Sequence, residues 1–434
     1  MIELTDVEIQ VTQNELYDFA TKIWSHNRSL TGLGLRETLQ AIKQEVPTLK
    51  TKSFPSGLKV CDWEIPEEWN VNYAYIIDPN GNKICDFSTN NLHLIGYSES
   101  IEIDLQLQDL QENLHSLPEQ PDAIPYITSY YEKRWGFCIS DRQRQKLQQG
   151  IYKIRISTSK TNGTLDIGEI FIPGINKKEI FLSTYICHPS MANNEISGIT
   201  VSTFLAKYLS RRKNLRYSYR FVFLPETIGS ITYIHHNLKN MKKNIIAGFN
   251  LTCIGDERNY SYLPTRNGDL LSDRAALHVL ENHYRGYKKF SWLDRGSDER
   301  QYCAPGVDLP IASLMRTKYG EYPEYHTSLD DLISVVTAKG LMGGLDLVRK
   351  VVEVLEMDVI VQPKILCEPM MSKRNLYPTL STKNSHLDIR FRMNIISYLD
   401  GEKSLLEIAN LLGKPIELVY NEVSRLKELG VVDF

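Results

Sequence analysis

Residues 179–198 read EIFLSTYICHPSMANNEISG. The opening run EIFLSTYIC is short and largely apolar, the composition of a strand buried on both faces. His188 follows it directly. The polar turn Asn193-Asn194-Glu195 comes next, and at Ser197-Gly198 the pattern passes into a helix, ITVSTFLAKYLSRR. A buried strand, a polar loop and a helix in this order form half of a βαβ unit. In such sheets the ligand crevice lies beyond the carboxyl ends of the strands.

The alternation extends in both directions. Upstream, GIYKIRIST and GTLDIGEIFIPG read as strands. Downstream come strand YRFVFLP, helix SITYIHHNLKNMKK, strand NIIAGFNLTCIG, helix DRAALHVLENHY, strand DLPIASLMR and helix TAKGLMGGLDLVRKVVEVLE. Strands alternating with helices imply an α/β sheet covered on both faces. Residues 1–57 read as helices. NELYDFATKIWSH sets Leu16, Phe19, Ile23 and Trp24 on one face, and a second helix runs from Arg36 to Val46. The lone Gly-Leu-Gly between them reads as a helix-entry turn, because no strand precedes it. From about residue 58 the texture is β-rich, with an Asn80-Gly81 hairpin turn between YAYIID and KICDF. The aromatic stretch IPYITSYYEKRWGFCIS follows, and its Tyr130, Tyr131 and Trp135 are placed to wall a pocket. Residues 364–386 read as a linker, and three helices close the chain. SLLEIANLLGKPIELVYNEVSRL has the length and turn placement of a helix-turn-helix. The division expected is therefore 1–57 with 149–370 as one discontinuous α/β domain, 58–148 as a β-rich insert and 387–434 as a small helical domain.

Composition sets limits on function. The 434 residues carry a formal charge of −3. That near-neutral balance argues against a dedicated nucleic-acid binder. From Asp400 to Phe434 there are four Lys/Arg against seven Asp/Glu, a poor fit for a helix-turn-helix that meets DNA phosphates. Seven scattered cysteines without a CxxC read as reduced thiols in a cytoplasmic protein. The acidic start MIELTDVEIQ predicts no signal peptide. No stretch approaches the roughly 20 apolar residues of a membrane span.

The residues that carry chemistry sit at strand ends and loops. His188, Glu226 in FLPETIGS and Asp256 in NLTCIGDE each lie just past a strand. The loops GSDERQY (296–302) and YPEYHTSLDDL, which holds His326, can reach the same crevice. Two imidazoles with several carboxylates are a zinc-type donor set. An open coordination position would hold a water and lower its pKa toward 7.

In that order the motifs TGLGLRETL, CDWEIPEEWN, IPYITSYYEKRWGFC, YICHPSMANNEISG, FLPETIGS, GSDERQY and YPEYHTSLDDL resemble the aminopeptidase-like zinc exopeptidases. They are closest to a bacterial subfamily with an inserted β domain and a winged-helix-like tail, many of whose members lie among surface-polysaccharide or secondary-metabolite genes. The resemblance covers essentially the whole chain and implies a mixed sheet sandwiched by helices. It also implies that His188 and His326 are terminal metal ligands, that Asn194 stands where most relatives have the bridging Asp, and that Glu226 is the metal-binding Glu. Pro225 then takes the place of the general-base Glu. The last ligand falls on Thr252 by strict alignment or is replaced in space by Asp256. A neutral Asn194 weakens a second metal most, so one zinc is expected and two are possible. Glu226 or Glu195 is left to activate water, general-base catalysis being worth about 10²–10⁴-fold. Asp298 and Glu299 are placed to accept an α-ammonium group, Arg316 to clamp a carboxylate, and Tyr319, Tyr322 and Tyr325 to line a pocket beside His326.

The function expected is zinc-dependent hydrolysis of an amide in a small aminoacyl, acyl or peptide substrate, with a biosynthetic pathway as its setting. The alternative is an altered member that uses its cleft for ligand binding or acyl transfer. The partner expected is a small molecule or short peptide, with no nucleic acid and no membrane, and association into a homo-oligomer is plausible.

Overall fold

A computed structural model of the chain describes residues 11–376 and 383–434. Contacts divide the chain into two units. The first takes the chain up to Ser272 together with Lys288–Asp346, and the second takes Asp273–Tyr287 with Leu347–Phe434.

The first unit is built on an eight-stranded mixed sheet. Its strands are β1 (Lys50–Pro55), β6 (Thr164–Ile172), β7 (Glu179–Tyr185), β8 (Ser218–Leu224), β9 (Ile245–Leu251), β10 (Ser261–Leu263), β11 (Lys288–Lys289) and β12 (Ile311–Met315). The spatial order is β1-β6-β8-β7-β9-β12-β10-β11. The four central strands run parallel. All seven residues of β7 and all five of β12 are buried, as the apolar runs predict.

From β7 the chain goes first to β8 on one side and later to β9 on the other. That reversal of strand order makes the carboxyl end of β7 a switch point, the place where such sheets open a crevice. Register sets the depth. Tyr185 pairs with Leu224, so His188 and Glu226 leave the sheet at nearly the same level.

The helix after β7, α3 (Ser197–Arg211), is buried along most of its length. It begins against the sheet at Gly198, where a Cβ would lie 2.5 Å from the Leu251 carbonyl oxygen and 2.5 Å from Thr184 Oγ1. Only glycine permits this approach. Helices α1 (Gln13–Trp24) and α2 (Leu33–Glu45) precede the sheet, and α4 (Ile228–Asn244) follows β8. A Thr12–Glu15 capping box starts α1, which buries Leu16, Phe19, Ala20 and Ile23. Trp24 lies at the margin of that face, half-buried.

The β-rich module is a four-stranded antiparallel sheet of β2 (Glu68–Ile77), β3 (Lys83–Ile84), β4 (Ile101–Gln106) and β5 (Ile151–Thr161), in the order β3-β2-β5-β4. The β2–β3 hairpin turns at Asn80-Gly81, with Gly81 at φ 85°. Strand β5 lies beyond the expected limit of 148, because its partners are β2 and β4 and not the large sheet.

In the second unit, α7 (Lys383–Tyr398), α8 (Leu405–Leu412) and α9 (Ile416–Glu428) are joined by short turns. A two-stranded wing pairs Gln362–Pro363 with Val432–Asp433. Residues 377–382 of the expected linker lie outside the described residues, and α7 begins at Lys383, inside the expected linker limit of 386. Helix α5 (Leu271–His283) comes from the middle of the chain. Its His278 Nδ1 meets Asn410 Oδ1 at 2.6 Å, and Ile416 N–H donates to His278 Nε2 at 3.0 Å. Among the described residues, no helix is long and apolar enough to cross a membrane.

Candidate active site

His188 is held from behind. The chain after it forms one π-helical turn, Ala192–Ile196, before α3 begins. The wide turn brings Glu195 back under the strand end, a use of π geometry common at functional sites. Glu195 Oε2 accepts from His188 Nδ1 at 2.9 Å, from Cys187 N at 2.7 Å and from His188 N. Its other oxygen accepts from Arg28 Nε at 2.5 Å. Both side chains of this ion pair are fully buried. Burial pulls the His188 pKa down, but Cys187 and Glu195 hold it well above the usual 6.5. With Nδ1–H held by Glu195, Nε2 is the nitrogen that would turn to a metal ion on losing its proton.

Glu226 leaves β8 through a strained turn. Thr227 has φ 65° and ψ −74°, and Ile228 N donates to Glu226 O at 2.8 Å. This is a γ-turn with positive φ, costly for a β-branched residue. It is held by Asp298 Oδ1, which accepts from Thr227 N at 2.8 Å and Ser230 Oγ at 2.7 Å, and by Arg300 Nη2, which donates to Thr227 Oγ1 at 2.8 Å. Burial raises the Glu226 pKa against the pull of His188. Burial, together with the Glu226 charge, raises the Asp298 pKa well above the usual carboxylate range.

His326 comes from the loop ahead of α6 (Ala338–Met357). It sits at φ 58°, and the inserted module braces it there. Tyr126 N donates to His326 O at 3.1 Å, Ser328 N donates to Ile124 O at 2.9 Å, and Pro125 bridges Thr327. The Tyr126 ring lies 5.3 Å from both His188 and His326, centre to centre. Tyr325 stacks on His326 at 3.9 Å. Burial and the neighbouring His188 push His326 down to about 3, so its imidazole is neutral.

The other expected site residues are engaged elsewhere. Asn194 Oδ1 accepts from Tyr185 OH at 2.7 Å, and Thr252 Oγ1 donates to the Asn194 carbonyl at 2.8 Å. Asp256 accepts from Arg258 N, Asn193 Nδ2, Thr317 N and Thr317 Oγ1 at 2.7–3.0 Å. Four donors occupy its oxygens and tie three loops together. Glu299 accepts from Gly296 N, Ser297 N, Tyr319 OH, Asn250 Nδ2 and Ser313 Oγ. Tyr319 therefore supports Glu299. Tyr322 OH donates to Asp330 at 2.9 Å. Arg316 donates to the Asn259 carbonyl at 2.7 Å and lies over Tyr260.

Four contributors stand outside the sequence reading. Arg28, Tyr126 and Tyr185 surround His188, and Asp330 accepts the Asn193 and Asn194 amides at 2.7 and 3.0 Å. The expected Tyr130 joins this wall, its hydroxyl 3.0 Å from that of Tyr126.

The donors can be tested against a metal ion. His188 Nε2 and Glu226 Oε2 are 3.8 Å apart, too long for a hydrogen bond. Two ligands on a tetrahedral zinc lie roughly 3.4 Å apart. The His188 and His326 rings are 5.4 Å apart, centre to centre, near the roughly 5 Å of two imidazoles on one zinc. Among the described residues, the one trio whose donor atoms all lie within 4.8 Å is Cys187, His188 and Glu195. That trio is a hydrogen-bond network, because Glu195 is already taken by Arg28 and two amides and burial lifts the Cys187 thiol to about 11. His188 and Glu226 face each other at a spacing that suits one ion, and His326 is the nearest further imidazole, although its donor atoms do not lie within 4.8 Å of both. Asn194 and Thr252, both neutral and mutually bonded, do not fit a second.

Comparison with known proteins agrees with this architecture. A family model described as a domain of unknown function (DUF4910) matches residues 17–358, and one described as a winged helix-turn-helix matches residues 359–433. A Clostridium acetobutylicum protein named for polysaccharide biosynthesis and an aminopeptidase-like domain is 38% identical over 405 residues, 92% of this chain and 91% of its own length. A crystal structure from the same organism, of a protein named as a peptidase, superposes with TM-score 0.91 at 35% identity, covering 97% of this chain and 96% of that one. A zinc aminopeptidase of Bacillus subtilis shares the fold at TM-score 0.55 and 14% identity, over 80% of this chain and 95% of its own. The expected mixed sheet sandwiched by helices, with a winged-helix domain at the end of the chain, is the fold observed.

Proposed function

The chain belongs to the DUF4910 family, and on that footing we propose that it is a zinc-dependent hydrolase of amide bonds in a small acyl, aminoacyl or peptide substrate. The observation that carries this reading is the pose of His188: Glu195 holds Nδ1 while Nε2 faces Glu226 across 3.8 Å. A His₂Glu set is a known catalytic zinc arrangement. His188, His326 and Glu226 would hold one ion. Bound there, zinc supplies Lewis acidity toward an amide carbonyl and makes water a better nucleophile at neutral pH.

The protein's own groups do the rest. Glu195 and Arg28 keep His188 in one tautomer and one orientation. The Thr227 turn aims Glu226. Asp298 fixes that turn through the Thr227 amide and the Ser230 hydroxyl. Tyr126 and Tyr325 wall the two imidazoles.

Zinc in an aminopeptidase of the same fold supports the metal, and the polysaccharide-biosynthesis name of the relative supports a biosynthetic setting. A second reading, a cleft that binds or transfers an acyl group, is favoured by one feature: Pro225 stands where the related zinc exopeptidases have their base. Elemental analysis separates the two. One zinc per chain, lost in His326→Ala, together with release of product from an amide substrate, is the expected result. A protein that takes up no zinc after incubation leaves the transfer or binding reading.

A further inference from the structure

The loop 296–302 offers three charged side chains to the cleft, and two of them are unavailable to a ligand. Glu299 is fully buried and accepts from five protein donors. Asp298 is fully buried, and its Oδ1 accepts from Thr227 N and Ser230 Oγ. Neither can take a substrate ammonium group.

The third is Arg300. It is exposed, and its one side-chain hydrogen bond among the described residues is from Nη2 to Thr227 Oγ1 at 2.8 Å. It makes no ion pair among them. Thr227 directly follows Glu226, so the guanidinium is tethered one residue from the candidate catalytic carboxylate. Nη2 carries two N–H groups, and Thr227 takes one of them. The other stays beside Nη1 or Nε, and such an adjacent pair matches a carboxylate in two-point contact. An arginine at the rim with no ion pair among the described residues, beside two carboxylates that are buried and hydrogen-bonded to the protein, selects for negative charge on what enters.

Resting on the hydrolase reading above, we infer that Arg300 anchors a carboxylate of the substrate. The substrate class is then an amide whose acyl portion carries an anionic group, in place of a peptide recognised by its free amine.

The test uses the full-length protein and a matched pair of anilides, N-succinyl-p-nitroanilide and N-butyryl-p-nitroanilide, which differ in the terminal carboxylate. Wild type is expected to prefer the succinyl compound in kcat/KM. Arg300→Gln should lower the succinyl-to-butyryl ratio about 10- to 100-fold, the range for a lost charged hydrogen bond, and Arg300→Lys should restore part of it. No preference in wild type, or an unchanged ratio in Arg300→Gln, overturns the anchor. Titration calorimetry with succinate reads the anchor without turnover. If neither anilide is cleaved but succinate binds wild type at least tenfold tighter than Arg300→Gln, the hydrolase reading fails and the anchor stands. Equal binding to both proteins, or none to either, removes the anchor.

Discussion

Glu195 Oε2 lies 2.9 Å from His188 Nδ1 and also receives the backbone amides of Cys187 and His188. One carboxylate thus fixes the peptide and the ring of the same residue. It reaches them because a single π-helical turn, Ala192–Ile196, returns the chain beneath the end of β7. The charge is balanced by Arg28, which arrives just after α1 and also donates through Nη1 to the Ile23 carbonyl at 2.5 Å. Helix α1 is in this way connected to the chemistry through two buried charges.

Glu195→Gln keeps the shape and removes the charge, leaving Arg28 buried without a counterion. Breaking a buried pair from one side costs about 3–5 kcal/mol. Urea unfolding should show a loss of that size, and zinc content should fall because the His188 tautomer is no longer fixed. Arg28→Met alone should cost a similar amount. The double variant Arg28→Met/Glu195→Gln should cost clearly less than the sum, since the two residues share one interaction. Additive losses would mean that the pair is not coupled.

Thr227→Gly separates strain from function. Glycine adopts positive φ without penalty, so the substitution relieves an unfavourable backbone while losing the Arg300 hydrogen bond. Thermal unfolding should change by no more than about 1 kcal/mol in either direction. The kcat should fall at least tenfold, because Glu226 is no longer held at one angle. Unchanged kcat would show that the turn does not position Glu226.

The fold was legible because its signals are local. EIFLSTYIC, RFVFLP and the helices between them carry the periodicity of a buried parallel sheet, and register then places His188 and Glu226 together. Ligand partners were less legible, because they depend on which atoms a side chain satisfies. Asp256 lies past a strand like a metal ligand, yet Thr317, Asn193 and Arg258 fill its oxygens. Glu299 is similar in sequence to an exposed acid and is the most completely hydrogen-bonded carboxylate near the cleft. Arg28 and Tyr126 are distant in sequence from His188 and His326, and no spacing rule links them. Strand β5 was assigned to the large sheet because pairing partners are not encoded in a strand's own pattern.

Asn194→Asp tests the ion count. The change puts a carboxylate where the resemblance to zinc exopeptidases implies a metal-bridging Asp. The far side of that position is closed by the Tyr185 and Thr252 hydroxyls, 2.5 Å apart and bonded to each other. Zinc content should therefore stay at one per chain. Two zinc ions per chain in Asn194→Asp would show that the amide alone excludes the second.

The second unit should weaken as pH falls. His278 is 2% exposed and uses both ring nitrogens, Nδ1–H toward Asn410 and Nε2 as acceptor for Ile416 N–H. Burial is the largest influence and holds its pKa below the usual 6.5, against the pull of Asn410, Glu417 and Glu281. A folded-state pKa below the unfolded one means that the unfolded chain takes the proton first. Stability is therefore fully present above about pH 6.5 and declines below it. Hydrogen-exchange protection of the α9 amides, corrected for intrinsic rates, should drop roughly tenfold between pH 7.5 and 5. In His278→Gln, which cannot gain a proton, the drop should vanish. An undiminished drop in that variant would assign the effect to another group.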